Sequence, residues 1–440
     1  MKKSIIIALL LFGFLMQGQN KKWTLKECVE YALENNISVK QSELNVQLTD
    51  VEKLTAVGGF LPTISAGGSV SKNTGLSFDP TTGNTSTTTF LSASGNVNIG
   101  YNLFDGLRNI RQVQRAEISK LAANYNLSKM KDDISLFVAN GYIQVILGKA
   151  NLEVLISQNN VTLEQIERTN KLVEAGALPR GDLLEIQATD ASEKQAIVNA
   201  ENTIQISLIS LAQLLLIKDY ENFNIEDEGY DIVDEGISGK SVTEIIESAK
   251  ANRSEIKIAE QNVALAEKDV QLANGSYWPT LRAFLGYDTR YTDGNTIPFN
   301  EQIYLNDGIG YGLSLNIPIL NDFSVRGNVQ RNKINLERSK FQLEQEELNL
   351  ESTVYQAYVD AKGALKSFEA ANIALESQEL AYDYAKDRYD VGLTNAFDFS
   401  QSKLRFDNAN IELNRAKYDY IFKLKVLELY FGIPATELKF

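Results

Sequence analysis

Carboxylates are the reactive side chains that this chain of 440 residues has in quantity, since it carries 57 Asp and Glu, no His and one Cys. Without His, neither a Ser-His-Asp triad nor a Cys-His pair can form, and the usual zinc sites lack their ligands. The carboxylates are spread along polar helix faces, with no paired arrangement suited to acid-base catalysis. The sequence therefore predicts no catalytic residue, no metal site and no cofactor, and it argues against an enzyme.

Charge and apolar content narrow the class further. The 43 Lys and Arg leave a formal net charge of −14, which argues against a nucleic-acid binder because such proteins need a basic face. The apolar content of 44% is that of a folded chain. The single cysteine, Cys28, cannot form an intrachain disulfide, and we expect it to be buried in a helix.

The N-terminus is typical of an export signal. Lys2 and Lys3 precede an apolar run over 5–16, and small or polar residues follow it. About 12 apolar residues are too few for a membrane-spanning helix, which needs about 20. We predict that 1–19 is a signal peptide and that the mature chain is exported.

The two halves of the chain repeat one another at an offset of 217 residues. Matching pairs include Glu27 and Glu244, Asn35 and Asn252, Gly58 and Gly275, and Pro62 and Pro279. The sequence predicts a first repeat over 20–218, an acidic linker or equatorial region over 219–240, and a second repeat over 241–440. We expect the acidic stretch to be a solvated surface connection.

Each repeat contains segments in which apolar and polar residues alternate. The apolar positions include Leu91, Val97, Ile99, Tyr101 and Leu103 in the first repeat, and Leu281, Leu285, Tyr287, Ile309 and Leu313 in the second. Such alternation matches the about 9–11 residues of a membrane-barrel strand, which is apolar towards lipid and polar towards a wet lumen. A β-sandwich also alternates, but four strands in two distant pairs supply no second sheet.

Two β-hairpins follow from this pattern, over 60–104 and 277–320. We predict that 72–89 and 292–307, which are rich in polar residues, form long extracellular loops. Phe60, Tyr277 and Trp278 stand at strand starts, where an interfacial aromatic girdle would lie.

Helix-forming residues fill the rest of each repeat. The stretches 106–175 and 323–391 each predict one helix of roughly 105 Å, and the first repeat adds shorter helices over 24–57 and 182–217. A coiled-coil seam is predicted by apolar residues repeating every seven positions. These are Phe368, Leu375, Tyr382 and Tyr389, and then Phe406, Leu413, Tyr420 and Leu427. Gly176 and Gly392 mark the turns between helices, with Asp182 and Asp398 near the next helix starts.

Four membrane strands cannot close into a barrel, because the smallest barrels have about eight and an open edge in lipid is not tolerated. Oligomerisation is therefore required, and two, three or four chains would give 8, 12 or 16 strands. The helices would continue below the membrane as a hollow cylinder.

The order of elements resembles the TolC-type outer-membrane efflux family over essentially the whole mature chain. The residues that carry the resemblance are 25–35, the strand entries 60–62 and 277–279, and the hairpin tips 174–178 and 390–394. The resemblance implies a mainly α fold with a membrane β-barrel contribution. In that fold a trimeric 12-stranded β-barrel is continued by a 12-helix coiled-coil α-barrel. It also implies an outer-membrane location, periplasmic helices, and docking onto a periplasmic adaptor and an inner-membrane transporter.

The resemblance further implies a constriction near the second tip. Asp398, six residues after Gly392, matches an acidic position of the family, whereas Gln401 stands where a second Asp can sit. A helix cap worth about 1 kcal/mol is an alternative role for Asp398. The candidate tip and adaptor-docking residues are Gly176, Ala177, Leu178, Asp182, Val391, Gly392 and Leu393.

A passive exit duct of a tripartite efflux system is the leading hypothesis. The outlet of a type I protein secretion system is an alternative of the same class. A periplasmic coiled-coil scaffold that never enters the membrane is an alternative of a different class.

Overall fold

The computed structural model describes residues 21–78, 81, 83–226, 230, 232–234 and 236–433. The predicted signal peptide over 1–19 lies outside these residues. The chain divides into two compact units. Unit 1 comprises the described residues up to Leu44, Tyr125–Lys257 and the described residues from Gln345 onward, and unit 2 comprises Asn45–Asn124 and Ile258–Glu344.

Nine helices form most of the described residues. In the first half they are α1 (Leu25–Asn35), α2 (Ile37–Gly58), α3 (Arg108–Glu174) and α4 (Arg180–Leu215), and in the second half α5 (Val242–Asn252), α6 (Ser254–Gly275), α7 (Phe299–Leu305), α8 (Ser324–Asp390) and α9 (Ala396–Phe431). Leaving α7 aside, the lengths in the two halves are the same, at 11, 22, 67 and 36 residues. The predicted long helices are confirmed to within two residues at each end.

The helix predicted over 24–57 is wrong as a single element, because Asn36 separates α1 from α2. Its backbone leaves the helical region at φ −59° and ψ 134°. Its side-chain oxygen accepts a hydrogen bond from the Ser38 backbone N–H at 2.8 Å, and its amide nitrogen donates to the Leu214 carbonyl at 3.1 Å. Local capping by asparagine thus competes with helix continuation.

Unit 2 holds an antiparallel sheet of four strands in the order β2 (Thr63–Phe78), β3 (Thr85–Phe104), β5 (Thr280–Thr292) and β6 (Gly308–Asn316). The predicted alternation is confirmed, since one face carries most of the apolar residues and the other, apart from Phe90 and Phe284, carries polar residues and glycines. Paired residues share a face: Ile99 pairs with Leu285 on the apolar face and Asn98 with Gly286 on the polar face.

The predicted loop over 72–89 is wrong, because most of it belongs to β2 and β3. Serine and threonine hydroxyls pair across these strands and extend the ladder. The Oγ atoms of Ser71 and Ser92 lie 2.9 Å apart, and the Oγ1 atoms of Thr74 and Thr89 also lie 2.9 Å apart. Threonine is β-branched and suits a strand, so a polar composition alone does not indicate a loop.

The predicted loop over 292–307 is wrong in part, because it contains α7. This short helix begins after Pro298, which fits the fixed φ of proline. The Gln302 side chain is fully buried and holds the segment against β5, donating to the Thr292 carbonyl at 2.9 Å and accepting from the Thr292 N–H at 3.0 Å.

Unit 1 contains the main hydrophobic core, built from α1, α3, α4 and α9 with a two-stranded parallel sheet of β1 (Lys22–Trp23) and β4 (Asn224–Ile225). The Tyr142 hydroxyl donates within this core to the carbonyls of Trp23 and Glu226. Cys28 is fully buried, as predicted, and burial raises the pKa of its thiol to about 12.

The acidic stretch is only partly the surface connection that its composition predicts. Phe223, Ile225 and Tyr230 are buried in the unit 1 core. The neighbouring residues 227–229, 231 and 235 lie outside the described part. Buried apolar side chains therefore hold this segment against the helices, while its described acidic residues, Asp219, Glu221, Glu226 and Asp234, are exposed.

The predicted coiled-coil seam is confirmed in unit 1, where α8 packs against α9. The rings of Tyr382 and Phe406 stack at 5.2 Å between centroids, and those of Tyr389 and Phe399 stack at 5.0 Å. Along α8 the positions of the seven-residue repeat are less exposed than their neighbours.

Across the described ranges, no helix carries an apolar stretch long enough to cross a membrane.

Candidate functional site

Both turns between long helices end in the same glycine motif. After α3, Gly176 adopts φ +73°, its N–H donates to the Val173 carbonyl, and the Ala177 N–H donates to the Leu172 carbonyl. This pair of hydrogen bonds is the Schellman motif, which satisfies the last free carbonyls of a helix. Leu178 follows and is half-buried, and Pro179 after it is the N-cap of α4.

The second turn repeats this geometry. Gly392 adopts φ +74° and donates to the Tyr389 carbonyl, and the Leu393 N–H donates to the Arg388 carbonyl. Val391 and Leu393 remain exposed, at 69% and 70%. The predicted turn glycines are confirmed, and the second tip presents two apolar side chains to its surroundings.

Side chains of α3 hold α8 just behind these turns. The hydroxyls of Thr169 and Tyr389 lie 2.9 Å apart and are buried. Beside them, the Arg168 guanidinium lies 2.7 Å from the Asp390 carboxylate as an ion pair and donates to the Asp390 carbonyl at 3.1 Å. Ile186, Ala396 and Phe399 complete a small apolar cluster around Tyr389. The two helical hairpins of one chain are therefore linked close to their tips.

The candidate constriction residues, Asp398 and Gln401, lie in the first two turns of α9. The α9 helix begins at Ala396, and Asn395 caps it by accepting from the Asp398 N–H at 2.8 Å. A cap by Asp398 itself is therefore excluded, because asparagine at the proper position already fills that role. The Asp398 carboxylate is exposed and accepts from the Thr394 hydroxyl at 3.3 Å.

The other two polar candidates differ in exposure. Gln401 is exposed and lines a groove of about 470 Å³ between α3, α4 and α9. Asp182 is half-buried in the first turn of α4, where a negative charge suits the positive end of the helix dipole. Of the three, Asp398 offers the most accessible carboxylate.

A buried ion cluster lies behind the tips in unit 1. The Lys403 ammonium is 2.6 Å from the Glu193 carboxylate of α4 and 3.1 Å from the Asp407 carboxylate of α9. Thr162 and Asn159 of α3 donate to Glu193 at 2.9 and 3.1 Å. The cluster therefore connects three helices, and its charges are paired as buried charges must be.

Burial raises the pKa of Asp407 to about 6, and the negative charge of Glu193 adds to this rise, while the Lys403 ammonium opposes it. One carboxylate oxygen of Asp407 has no hydrogen-bond partner among the described residues. Of the two carboxylates of the cluster, that of Asp407 is therefore incompletely stabilised in its charged form.

In the part of the chain that the structure covers, no group of three or more acidic or cysteine side chains is arranged to hold a metal ion.

The family follows from the sequence match. Residues 28–215 and 245–432 each match the outer membrane efflux protein family, and the two matched segments are offset by 217 residues, from 28 to 245 and from 215 to 432. The chain belongs to this family. It is a transport protein of the outer membrane, not an enzyme, and the periplasmic scaffold that never enters the membrane is set aside.

Relatives of this efflux family agree. Outer membrane protein TolC of Vibrio cholerae is 23% identical over 321 residues, covering 71% of this chain and 70% of that protein. Protein CyaE of Bordetella pertussis is 23% identical over 374 residues, covering 84% and 75%. The CmeC outer membrane channel of Campylobacter jejuni has the same fold, with a TM-score of 0.78 at 17% identity, covering 95% of this chain and 86% of that one.

Several functional contacts near the tips were not predicted from the sequence. The Arg168–Asp390 pair could not be found, because charged residues are common along both helices. Lys403 carried a readable signal, since it stands four residues after Phe399 and three before Phe406, on the apolar seam. A charge at such a position predicts a buried partner.

Proposed function

We propose that this efflux protein is the outer-membrane exit duct of a tripartite system. It would passively conduct substrates from a periplasmic adaptor and an inner-membrane pump to the exterior. The observation that carries the proposal is a sheet with two different faces and two open edges, β2 and β6.

Closure of the sheet requires further copies. Lipid offers no hydrogen bonds to a free strand edge, so β2 and β6 must pair with strands of another chain. Three copies give a 12-stranded barrel that turns its apolar face to lipid and its polar face to a lumen. The proposed assembly is therefore a homotrimer.

An exposed apolar stripe on α8 supports the same assembly below the membrane. Ile334, Phe341, Leu348 and Tyr355 repeat every seven residues, and each is more than half exposed. Seven-residue spacing suits coiled-coil packing, and the described residues of the chain leave more than half of each of these side chains uncovered. We propose that neighbouring copies cover it in a tunnel of 12 helices.

The internal duplication fits this tunnel. We propose that 20–218 and 241–440 are two copies of one unit joined by 219–240, so that three chains present six similar hairpins at the periplasmic end. The tips, with Gly176, Ala177 and Leu178 in one and Val391, Gly392 and Leu393 in the other, would dock the adaptor.

Asp398 is the proposed constriction residue. Its exposed carboxylate at the start of α9 would appear three times around a trimer axis, attracting cations and repelling anions. Gln401 lies one helical turn further along and adds no charge, so we propose a single acidic ring.

Conductance tests the duct directly. Purified protein in planar bilayers should give discrete single-channel currents, and a folded trimer without any current would overturn the proposal. Deletion of the gene in the host organism distinguishes small-molecule cargo from protein cargo. Accumulation of small dyes in the cell with an unchanged set of secreted proteins supports efflux, whereas loss of a secreted protein supports the type I secretion outlet.

A further inference from the structure

Two aromatic side chains, Phe90 of β3 and Phe284 of β5, interrupt the polar face of the sheet. Phe284 of β5 shares this face with Arg282 two residues earlier, and 45% of its surface is exposed. The residues paired with Phe284 on both neighbouring strands are glycines, Gly100 on β3 and Gly312 on β6. Apolar residues elsewhere on β5, such as Leu285, lie on the opposite face, so Phe284 is an exception that needs a reason.

The glycines make room for the two large side chains. A Cβ atom at Gly312 would lie 3.1 Å from Cζ of Phe284, which is tighter than an ordinary contact. A Cβ atom at Gly100 would overlap the Arg282 guanidinium. The ring and the guanidinium therefore lie over a glycine floor, close against the strands rather than extended away from them.

Arg282 also lines a groove of about 550 Å³ within unit 2. Among the described residues, its guanidinium has no hydrogen bond and no ion pair. Arg108 lines the same groove, together with the amide side chains of Asn102, Asn109 and Gln112.

The side chains that line the groove carry a net positive charge. Asp105 is the one carboxylate among the described residues that line it, against the two guanidiniums. The Asp105 oxygens already accept the backbone N–H groups of Arg108 and Asn109, at 3.0 and 2.9 Å. The two guanidiniums therefore give the groove more unused hydrogen-bond donors than acceptors.

We infer that this groove and Phe284 form a binding site on the channel wall for organic anions that carry a planar apolar group. The inference rests on the proposed function, because the polar face must line a lumen for cargo to reach it. A guanidinium fork matches the two oxygens of a carboxylate or sulfonate. Phe284 lies roughly 6.8 Å further along the strand, so a ring attached to the anion reaches it.

The site would bind one class of anion on the lumen side of the wall without closing the channel. Because the two side chains lie close to the strands, they narrow the lumen little. In a trimer, three copies of the site would lie at the same height along the lumen.

Current block by a chosen anion tests the inference. We would add 2-naphthalenesulfonate to the full-length protein in planar bilayers and measure the concentration that blocks half of the current. Wild type should be blocked, and Arg282→Gln should need about tenfold more, as expected for loss of a charged hydrogen bond. Methanesulfonate has the charge without the ring, and it should block wild type far more weakly.

Two further variants make the test specific. Phe284→Ala should remove most of the preference for 2-naphthalenesulfonate over methanesulfonate. Arg290→Gln removes a positive charge from the same face, outside the residues that line the groove, and it should leave the block unchanged.

The outcomes separate the site from the duct. If wild type and Arg282→Gln both conduct and 2-naphthalenesulfonate blocks them equally, the proposed function stands and the binding site is overturned. Equal block by the two sulfonates in wild type would also overturn it. A folded wild-type trimer without current would instead overturn the proposed function. Because Arg282 and Phe284 are exposed, their variants should conduct, and Arg282→Lys offers a second variant that keeps the charge and loses the fork.

Discussion

The Thr169 hydroxyl lies 2.9 Å from the Tyr389 hydroxyl, with both side chains buried. This contact joins α3 of the first hairpin to α8 of the second, directly behind the turn at Gly392. Two hydroxyls that satisfy each other in a buried place are sensitive to loss of one partner and tolerant of loss of both.

Removal of the Tyr389 hydroxyl should therefore loosen the tips. Tyr389→Phe keeps the ring and leaves the Thr169 hydroxyl without this partner, so we expect a loss of about 1 kcal/mol. The double variant Thr169→Val with Tyr389→Phe should recover much of it. Thermal unfolding of the four proteins of this cycle gives the coupling, and simple additivity of the two single variants would contradict the contact.

Asp398 should control the passage of cations through the proposed constriction. Asp398→Ala should raise single-channel conductance or weaken block by multivalent cations, because the negative ring is lost. Asp398→Glu keeps the charge and serves as the control. Since Asn395, not Asp398, caps α9, stability should change little, and an unaltered conductance and block in Asp398→Ala would refute the ring.

Asp407 predicts a pH-dependent stability. Its folded pKa of about 6 lies above the ordinary value of 3.8, so the folded state holds a proton that the unfolded state has released. The stabilisation is complete below the ordinary pKa and is lost as the pH rises through about 6, and it amounts to at most about 3 kcal/mol.

A neutral isostere tests that sign. Asp407→Asn should have a higher melting temperature than wild type at pH 7.5, with the advantage shrinking at pH 5. The groups that face this carboxyl, Lys403, Glu193 and Tyr382, remain in place. Asp387→Asn, on an exposed part of α8, should show no such trend. A gain for Asp407→Asn that grows towards low pH would be the opposite of this expectation.

The turn glycines should be far less replaceable than a helix glycine. Gly392→Ala places a side chain at φ +74° with open space around it, so the cost is backbone strain of about 1 kcal/mol. Gly363→Ala, inside α8 and also with open space around its Cβ position, should stabilise by about 0.5–1 kcal/mol. Chemical or thermal unfolding compares the two, and equal effects would argue against the Schellman turn.

Much of this fold could be predicted from periodicity. The strand faces, the two 67-residue helices and the seam with Tyr382 and Phe406 all follow from spacing. Repetition at 217 residues strengthened each assignment, because a pattern seen twice is rarely accidental.

The errors have local causes. The hydroxyl ladder from Ser71 to Thr89 extends a hairpin that polar composition had marked as a loop, and Asn36 ends a helix that the apolar spacing would have continued. Tertiary pairs such as Arg168 with Asp390 depend on which helix faces align. Spacing within a single helix carries no information about that.

The most direct measurement of the proposed duct is the native mass of the protein extracted in detergent from isolated outer membranes. The open edges β2 and β6 predict a trimer that survives extraction, since each copy supplies the strands that the next one needs. A monomer or dimer recovered from the soluble periplasmic fraction would contradict barrel closure and, with it, the proposed channel.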